Sequence, residues 1–142
     1  MLVGRCKINL MKLKKTAQTV YDLRYHFTWV PKRRRKVLKG EIKERIIGMI
    51  KYACQLHEFE LLDLVVDEDH LHLYLSAKPK YSPSRIANIL KGGTSRKIRK
   101  MFPGLNESFW GASFWQDGFF VSSVGMKSDD RMRKYLNEHK KS

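Results

Sequence analysis

Two histidines in the stretch "DEDHLHLYLS" (67–76) have the spacing of a metal-binding pair. Side chains alternate between the two faces of a β-strand, so the three leucines would share one face and His70 and His72 the other. Two imidazoles one strand repeat apart can bind one metal ion from the same side. The alternative is a solvated strand face on which histidine is tolerated. Two ligands do not complete a site, so the rest of the chain must supply a third.

The segment "YLNEH" (135–139) supplies a candidate third ligand and a candidate nucleophile. Tyr135 and His139 are four residues apart and would project from the same face of a helix. Taken singly, the tyrosine is typical of packing and the histidine of a helix C-terminus. If their helix faces His70 and His72, three imidazoles surround one ion and a phenol lies beside it.

This combination of residue types could carry out phosphoryl transfer through a covalent intermediate. A phenol is a weak nucleophile at neutral pH because its pKa is about 10. A cation that polarises a phosphodiester makes the phosphorus more electrophilic and neutralises the developing charge. Attack by Tyr135 gives a phosphotyrosine and a free hydroxyl on the departing strand. Because the phosphoester is exchanged and not hydrolysed, that hydroxyl can later rejoin the DNA without a nucleotide cofactor.

The charge of the chain points to an anionic partner. Its 142 residues contain 29 Lys and Arg against 14 Asp and Glu, which gives a net charge of +15. Such an excess repels itself unless an anion balances it, and nucleic acid and acidic membrane are the usual candidates. No apolar run is long enough to span a bilayer and the N-terminus has no signal-peptide core, so nucleic acid is favoured over membrane.

Two basic segments are the expected phosphate contacts. The loop "KRRRK" (32–36) would repel itself unless an anion balances it, although charge runs are often solvated surface. The segment "LKGGTSRKIRK" (90–100) lacks the spacing of a nucleotide-binding Walker loop. Its two glycines would let a nucleic-acid strand approach, or the helix tolerates them at about 1 kcal/mol each. The candidate DNA-binding residues are Lys32, Arg33, Arg34, Arg35, Lys36, Lys91 and Arg96.

The order of the predicted elements indicates an α+β fold. The pattern predicts a strand (20–30), a helix (40–59), two strands joined at an acidic turn (59–77), a helix capped by Ser82 (82–102), a strand (113–125) and a last helix (128–141). The order β-α-β-β-α-β predicts a ferredoxin-like (RRM-like) antiparallel sheet with two helices on one face. The other face would be open to nucleic acid, and the last, C-terminal helix would carry the tyrosine.

We expect residues 1–142 to form a single domain, with a basic extension at 1–19 and the tyrosine helix within 127–142. Aromatic side chains near the end of the chain could stack on bases, but such residues more often belong to a core. We therefore expect core positions for most of these six residues: Phe109, Trp110, Phe114, Trp115, Phe119 and Phe120.

Four stretches resemble, in order, the TnpA-type single-tyrosine HUH transposases of the smallest bacterial and archaeal insertion sequences. They are "YHFTWVPKRRRKVL", "DEDHLHLYLSAKPKYSPSRIANILKGGTSRKI", "FWGASFWQDGFFVSSVG" and "YLNEH". The resemblance extends from about Val20 to His139. It implies that His70 and His72 are the metal-binding His-hydrophobic-His pair and that Tyr135 is the nucleophile.

The resemblance also implies the cofactor, the substrate and the assembly. The third metal ligand of the family follows the tyrosine by four positions and is commonly Gln, whereas this chain has His139. An imidazole at that position shifts the preference between Mg²⁺ and Mn²⁺ towards Mn²⁺. The expected substrate is single-stranded DNA with hairpins near the element ends. The expected assembly is a homodimer in which the tyrosine helix of one subunit, hinged at Gly125, completes the metal site of the other.

Two other functions share part of this pattern. A domesticated tyrosine nuclease that acts on chromosomal repeat hairpins would use the same residues. A non-catalytic single-stranded nucleic-acid-binding module would explain the charge and the open sheet. It would leave the histidine pair and Tyr135 unexplained, and the chain lacks the aromatic RNP signature of such modules.

The cysteines indicate the compartment. Cys6 and Cys54 stand in no metal-binding or redox spacing, as in proteins of a reducing environment without disulfides. Together with the resemblance to prokaryotic transposases, this predicts a cytoplasmic, nucleoid-associated protein.

Overall fold

A computed structural model describes residues 13–16, 19–106 and 113–140 of the chain. Its strands are β1 (Lys14–Lys15), β2 (Val20–Tyr21), β3 (Arg24–Trp29), β4 (Glu60–Val66), β5 (Leu71–Ser76) and β6 (Phe120–Val124). Its helices are α1 (Gly40–Leu56), α2 (Pro83–Met101) and α3 (Asp129–Lys140), with short 3-10 turns at Lys32–Arg34, Pro103–Asn106 and Met126–Ser128. The strands β1 and β2 form a small hairpin. The other four form one antiparallel sheet in the order β4-β5-β3-β6.

The path of the chain confirms the predicted α+β, ferredoxin-like fold. The elements β3-α1-β4-β5-α2-β6 follow one another as expected, and α3 is added at the end. The capping prediction for α2 is also confirmed, because Oγ of Ser82 accepts a 3.1 Å hydrogen bond from the backbone N–H of Arg85. That bond satisfies one of the free N–H groups at the start of the helix.

The predicted first strand is shorter in the structure than in the sequence analysis. The strand of the main sheet begins at Arg24, because Val20–Tyr21 pairs instead with Lys14–Lys15 in the hairpin. Most of the predicted basic extension, residues 1–12 and 17–18, lies outside the described residues.

The first face of the sheet carries the main hydrophobic core. The three leucines of β5 are fully buried there together with Phe27 and Trp29 of β3, and α1 and α2 cover them. Burial of one such side chain contributes about 1.5–3 kcal/mol. Helical spacing in α1 provides the apolar stripe predicted from the sequence. The residues of this stripe that face the core are Ile42, Ile46, Met49, Ile50 and Ala53.

The predicted strand 113–125 is a strand only from Phe120 onwards. In the segment before it, Phe114 and Trp115 are adjacent in sequence and both buried. Strand alternation would expose one of the two, so the backbone is irregular there. The backbone N–H of Phe114 donates to Oγ of Ser95, and the Trp115 indole N–H donates to Oγ1 of Thr94, both at 2.8 Å. These two bonds fasten the segment to α2.

The second face of the sheet is not open as predicted, because α3 covers part of it. Leu136 of α3 is fully buried in a second, smaller cluster with Val65, Tyr74 and Val124. At the end of the helix, Nζ of Lys140 lies 2.8 Å from Oδ1 of Asp63 on β4. The second face therefore has an apolar part under α3.

A buried network of charged and polar groups fastens the first turn of α3 to the sheet. The Tyr74 hydroxyl donates to Oδ1 of Asp129 at 2.6 Å, and Nη1 of Arg24 lies 3.0 Å from the same oxygen. The other oxygen, Oδ2, accepts from Nε of Arg133 at 3.0 Å. Burial raises the pKa of Asp129, but the hydrogen bonds from Tyr74 and Arg133 and the nearby charges outweigh it, so the pKa is lowered overall. The ionised carboxylate thus stabilises the docked helix.

Replacing this carboxylate should therefore loosen the tyrosine helix in a pH-dependent way. We expect Asp129→Asn to lower the free energy of unfolding by about 1–2 kcal/mol at pH 7, because Arg24 and Arg133 lose a charged partner. The pKa of Asp129 is lower in the folded protein than in the unfolded one, where it is about 3.9, so its ionisation stabilises the fold above about pH 3.9. This stabilisation is lost as the pH falls through the pKa of Asp129 in the folded protein. The difference between the two proteins should shrink below about pH 4 in urea unfolding. Asp130→Asn, an exposed change in the same turn, is the control, and equal losses in both variants would contradict the network's role.

Candidate active site on the second face of the sheet

The structure brings together the four residues predicted to carry the chemistry. His70 precedes β5 and His72 lies within it, while Tyr135 and His139 belong to α3. The ring centre of His72 is 5.1 Å from that of His70, 4.8 Å from that of His139 and 5.6 Å from that of Tyr135. The rings of Tyr135 and His139, one helical turn apart, have centres separated by 4.2 Å. Docking of α3 on the sheet is what assembles this cluster.

His72 is the buried centre of the cluster, with 5% of its surface exposed. Its Nδ1 lies 3.0 Å from Nε2 of His26 and 3.1 Å from Oγ1 of Thr28. Its Nε2 is buried and has no hydrogen-bond partner among the described residues. Burial, followed by the neighbouring imidazoles, lowers the pKa of His72 to about 4, so the ring is neutral at neutral pH. A neutral imidazole with an unused nitrogen is the form of histidine that binds metals.

His70 lies at the edge of the cluster between two carboxylates. Its Nε2 is 3.0 Å from Oδ2 of Asp67, and its Nδ1 is 2.8 Å from Oδ1 of Asp69. Asp69 also pairs with Arg34, whose Nε lies 3.4 Å from Oδ2. The hydrogen bond with His70 is the largest cause of the lowered pKa of Asp69. The carboxylates orient the His70 ring, and Arg34 links the basic loop to the site.

The residues of the cluster fit a divalent metal ion in type and spacing. Two imidazoles bound to one ion at about 2.1 Å have ring centres about 4.5–5 Å apart, close to the two separations measured from His72. The buried Nε2 of His72 is an atom that such an ion would satisfy. Within 13–16, 19–106 and 113–140, no three His, Cys, Asp or Glu side chains are already arranged to hold a metal. Because both ring nitrogens of His70 are engaged, that residue would have to exchange one carboxylate for the ion.

Tyr135 combines exposure with a supported position. Its side chain is 40% exposed, while the next residue, Leu136, is fully buried and holds this turn of the helix on the sheet. The Tyr135 ring meets the rings of His26 and His72 edge-on, with centres 5.9 and 5.6 Å away. The ring is thus supported on one side by the histidines and remains accessible to a large substrate.

His26 and Thr28 are contact residues of the site that the sequence analysis missed. Both lie on the β3 face opposite Phe27, and His26 is as buried as His72. The pairing of β3 with β5 sets Thr28 directly opposite His72. The sequence does contain a signal for them. Alternation along "YHFTW" places His26 and Thr28 on the strand face opposite the core residues Phe27 and Trp29. The register, which decides the contact, cannot be read from either strand alone.

A backbone contact and a charged side chain fix the basic loop beside the site. Its first part forms a 3-10 turn in which Arg33 and Arg34 have positive φ angles of 59° and 51°. The backbone N–H of Arg33 donates to Oε1 of Gln116 at 3.0 Å. With Arg34 bound to Asp69, this contact fixes the turn next to His70. The exposed residues of the predicted cationic loop are Arg33, Arg34 and Lys36.

Lys91, predicted to contact DNA, has a structural role in the fold. Its ammonium donates to the backbone carbonyls of Gln116 at 2.9 Å and Gly118 at 2.5 Å. Burial lowers the pKa of Lys91. Arg96, on the same helix, is exposed. A Cβ atom added at Gly92 or Gly93 would meet nothing within 4 Å in the described part of the chain, so no contact there explains these glycines.

The aromatic residues divide between the core and the site. Phe114 and Trp115 are buried and Phe119 packs against the core, as predicted. Phe120 is the exception among the described aromatics, because it lies on the β6 face that bears the site and is 55% exposed. Its ring centre is 5.8 Å from that of His26. Phe109 and Trp110 lie outside the described residues.

Comparison with known proteins identifies the family. Residues 19–139 match the family model for the IS200-like transposases. The chain is 30% identical over 132 residues to ISDra2 transposase TnpA of Deinococcus radiodurans, covering 92% of this chain and 94% of that protein. The chain belongs to the IS200-like transposase family. A transposase for insertion sequence element IS200 from Salmonella typhimurium is 29% identical over 130 residues, covering 89% of this chain and 86% of that protein.

Solved structures agree with this membership. A candidate transposase from Deinococcus radiodurans R1 superposes with a TM-score of 0.73 at 28% identity, covering 89% of this chain and 97% of that one. A REP-associated tyrosine transposase bound to a REP hairpin has a TM-score of 0.58 at 18% identity, covering 87% of this chain and 70% of that one. The second likeness shows the fold alone. The predicted resemblance to TnpA-type transposases is therefore confirmed, and DNA cleavage and transfer are the activity of this family.

Among the described residues, no helix is long and apolar enough to cross a membrane.

The two predicted DNA contacts on α2 should behave differently when they are neutralised. Lys91→Met should lower the free energy of unfolding by about 1 kcal/mol, because the carbonyls of Gln116 and Gly118 lose a charged donor. Arg96→Gln, its matched control, should leave unfolding unchanged and weaken the binding of single-stranded DNA in a salt-dependent way. Urea unfolding and fluorescence-anisotropy titrations measure the two effects. A Lys91→Met protein of unchanged stability would contradict the structural role.

Proposed function

We propose that this transposase cleaves and rejoins single-stranded DNA at insertion-sequence ends through a 5′-phosphotyrosine on Tyr135. The observation that carries the proposal is the position of Tyr135, which is exposed towards solvent and backed by His72, His139 and His26. Family membership accounts for DNA cleavage and transfer. The route through Tyr135 is supported by this geometry and by the suitability of a phenol as a covalent nucleophile.

The proposed cleavage exchanges one phosphoester for another. The phenol oxygen of Tyr135 attacks the scissile phosphorus, a P–O bond to Tyr135 forms and the P–O3′ bond breaks. The phenol proton passes to solvent, and the departing 3′ oxygen takes up a proton as a free hydroxyl. In the joining step a 3′ hydroxyl attacks the phosphotyrosine, releases Tyr135 and restores a DNA linkage, so no hydrolysis or nucleotide cofactor is needed.

The chain's histidines would hold the metal that this chemistry requires. We propose that His70, His72 and His139 bind Mg²⁺ or Mn²⁺, which when bound supplies Lewis-acid polarisation of the scissile phosphate. The low pKa of His72 keeps its ring neutral for this role. One of the two carboxylates, Asp67 or Asp69, would stay bonded to His70 and orient its ring, while the other would give way to the ion. An all-imidazole ligand set favours Mn²⁺ over Mg²⁺.

The DNA would run along the basic side of the site. Arg34 lies next to His70 through Asp69, so the loop containing Lys32, Arg33, Arg34, Arg35 and Lys36 can contact phosphates near the scissile bond. Arg96 would contact a more distant part of the strand, and Lys91 would position the loop beside it. A net charge of +15 supports tight, salt-dependent binding. A relative with the same fold is bound to a REP hairpin, which supports hairpin DNA as the substrate. Because the DNA of a prokaryotic host lies in the nucleoid, we propose that the protein acts there, in the cytoplasm.

We further propose a homodimer in which subunits exchange α3. The helix follows Gly125 and the short turn Met126–Ser128, a segment that could redirect it. Side chains make its contacts with the sheet, notably Leu136, Asp129 and Lys140. The α3 of a second copy could make the same contacts, so exchange would leave the geometry of the site unchanged.

The insertion-sequence role is favoured over a domesticated nuclease. The chain covers 94% of ISDra2 transposase TnpA at 30% identity, against 70% of the REP-associated transposase at 18% identity. A non-catalytic binding module would leave without a role the exposed Tyr135 and Nε2 of His72, for which the described residues provide no hydrogen-bond partner.

Removal of the phenol should separate binding from chemistry. Tyr135→Phe should bind single-stranded DNA from the flanks of the gene as the wild type does, because the ring is retained. It should form no SDS-resistant protein–DNA adduct with Mn²⁺, because the attacking oxygen is gone. Tyr52→Phe is a matched control, since Tyr52 is an exposed tyrosine on α1, away from the site, and this variant should form the adduct as the wild type does. An adduct of wild-type yield from Tyr135→Phe would refute the assignment.

Mixing two inactive variants should reveal the exchange of α3. Alone, His72→Ala and Tyr135→Phe should each form no adduct. In dimers reassembled from an equal mixture, exchange would create sites with both residues intact, about a quarter of all sites. Gel analysis of the adduct measures this recovery. Mixed dimers that form but remain inactive would show that each chain builds its own site.

A further inference from the structure

Two side chains of β3 contact the same ring nitrogen of His72. Nε2 of His26 lies 3.0 Å and Oγ1 of Thr28 lies 3.1 Å from Nδ1 of His72. The His26 and His72 rings are stacked, with centres 5.2 Å apart and planes inclined by 19°. Both imidazoles are 5% exposed, so water does not readily replace these contacts.

Only one tautomer of His72 suits metal binding through its second nitrogen. A proton on Nδ1 leaves the lone pair of Nε2 available, whereas a proton on Nε2 blocks it. The Thr28 hydroxyl oxygen and an unprotonated His26 Nε2 can both accept a hydrogen bond from Nδ1–H. We infer that His26 and Thr28 are positioning residues that hold the proton of His72 on Nδ1 and direct the Nε2 lone pair towards the metal. This inference rests on the proposed role of His72.

The tautomer can be measured directly in the wild-type protein. Long-range ¹H–¹⁵N correlation spectra of metal-free protein distinguish protonated from unprotonated imidazole nitrogens. We expect His72 to carry its proton on Nδ1 at neutral pH. A proton on Nε2 would overturn the inference whatever the variants do. In His26→Phe combined with Thr28→Val, which removes both acceptors, the tautomer preference should be lost.

Metal affinity without DNA gives the second readout. His26→Phe should weaken Mn²⁺ binding about 10- to 100-fold in a calorimetric titration, the usual loss when the partner of a metal-binding histidine is removed. His26→Gln, whose carbonyl can accept the same hydrogen bond, should recover most of the affinity. His57→Phe, at the far end of α1, is the matched control. Unchanged affinity in His26→Phe would refute the inference, whereas a wild type that binds no Mn²⁺ would refute the proposed function itself.

A second observation concerns an apolar groove beside Tyr135. The groove lies between β6 and α3 and encloses about 410 Å³, within the range of about 300–1,000 Å³ typical of ligand sites. Phe120, Val124 and Met132 contribute its apolar walls, and Arg131 and three serines its polar part. Phe120, 55% exposed, presents an aromatic ring on the side of the groove near His26.

An unpaired DNA base is the ligand whose chemistry matches this groove. Bases stack on exposed aromatic rings whatever their identity, the serine hydroxyls can bond to base edges, and Arg131 can pair with an adjoining phosphate. Because Tyr135 forms one wall, a base bound there belongs to a nucleotide next to the scissile phosphate. We propose that the groove receives one such base, stacked on Phe120. This proposal rests on the proposed function.

Abasic substitutions test the groove. In a Tyr135→Phe background, which prevents cleavage, Phe120→Ala should weaken oligonucleotide binding about 5- to 100-fold. Removal of one base near the cleavage position should cause a similar loss with Phe120 present and little further loss in Phe120→Ala. Phe120→Tyr should behave as the parent. Tyr52, on α1, is an equally exposed aromatic residue, and in Tyr52→Ala removal of the base should weaken binding as much as in the parent. If the losses of affinity from Phe120→Ala and from base removal add at every position of the oligonucleotide, the groove does not receive a base. An oligonucleotide that never binds would refute the proposed function.

Discussion

Docking of α3 on the second face of the sheet is the interaction on which the candidate site depends. His70 and His72 are positioned by the sheet, whereas Tyr135 and His139 are positioned by α3. Leu136 provides the apolar contact, and Asp129, two turns earlier on the same helix face, and Lys140 provide polar ones. These contacts fix the rotation of the helix about its axis, and that rotation determines which side chains face His72.

This arrangement divides the sheet between stability and chemistry. The first face is buried under α1 and α2 and holds the leucines of β5, so the strand is anchored without using its other face. The second face can then bury polar imidazoles at a cost that the main core offsets. Alternation along β5 serves both purposes, since adjacent residues such as Leu71 and His72 point to opposite faces.

Electrostatics differs between the inside of the site and its surroundings. Burial keeps His72 neutral and lowers the pKa of His26, although the chain as a whole carries a large positive charge. Arg34 is bound to Asp69, so its charge is partly balanced next to His70. Positive charge is therefore available to DNA around the site, while neutral ring nitrogens remain available within it.

The sequence predicted local features well and long-range contacts less well. The Ser82 cap, the apolar stripe of α1 and the alternation of β5 depend on neighbours in the chain, and the structure has them. Contacts between His72 and Thr28 depend on strand register, and the cover over the second face depends on where α3 docks. The contacts of Lys91 with two backbone carbonyls and the exposure of Phe120 depend on tertiary structure in the same way. The sequence alone does not distinguish a lysine that binds backbone carbonyls from one that faces solvent, or an aromatic on an exposed strand face from one in the core. Tertiary contacts decide both.

We propose that α3 completes, with His139, a metal-binding imidazole cluster that the sheet begins with His70 and His72. Electron spin-echo spectroscopy of bound Mn²⁺ tests this proposal, because imidazole nitrogens bound to the ion modulate the echo. We expect nitrogen modulation in the wild type, reduced by one imidazole in His139→Gln and by one in His72→Gln. Identical spectra from wild type and His139→Gln would contradict the claim, since α3 would then contribute no ligand to the metal.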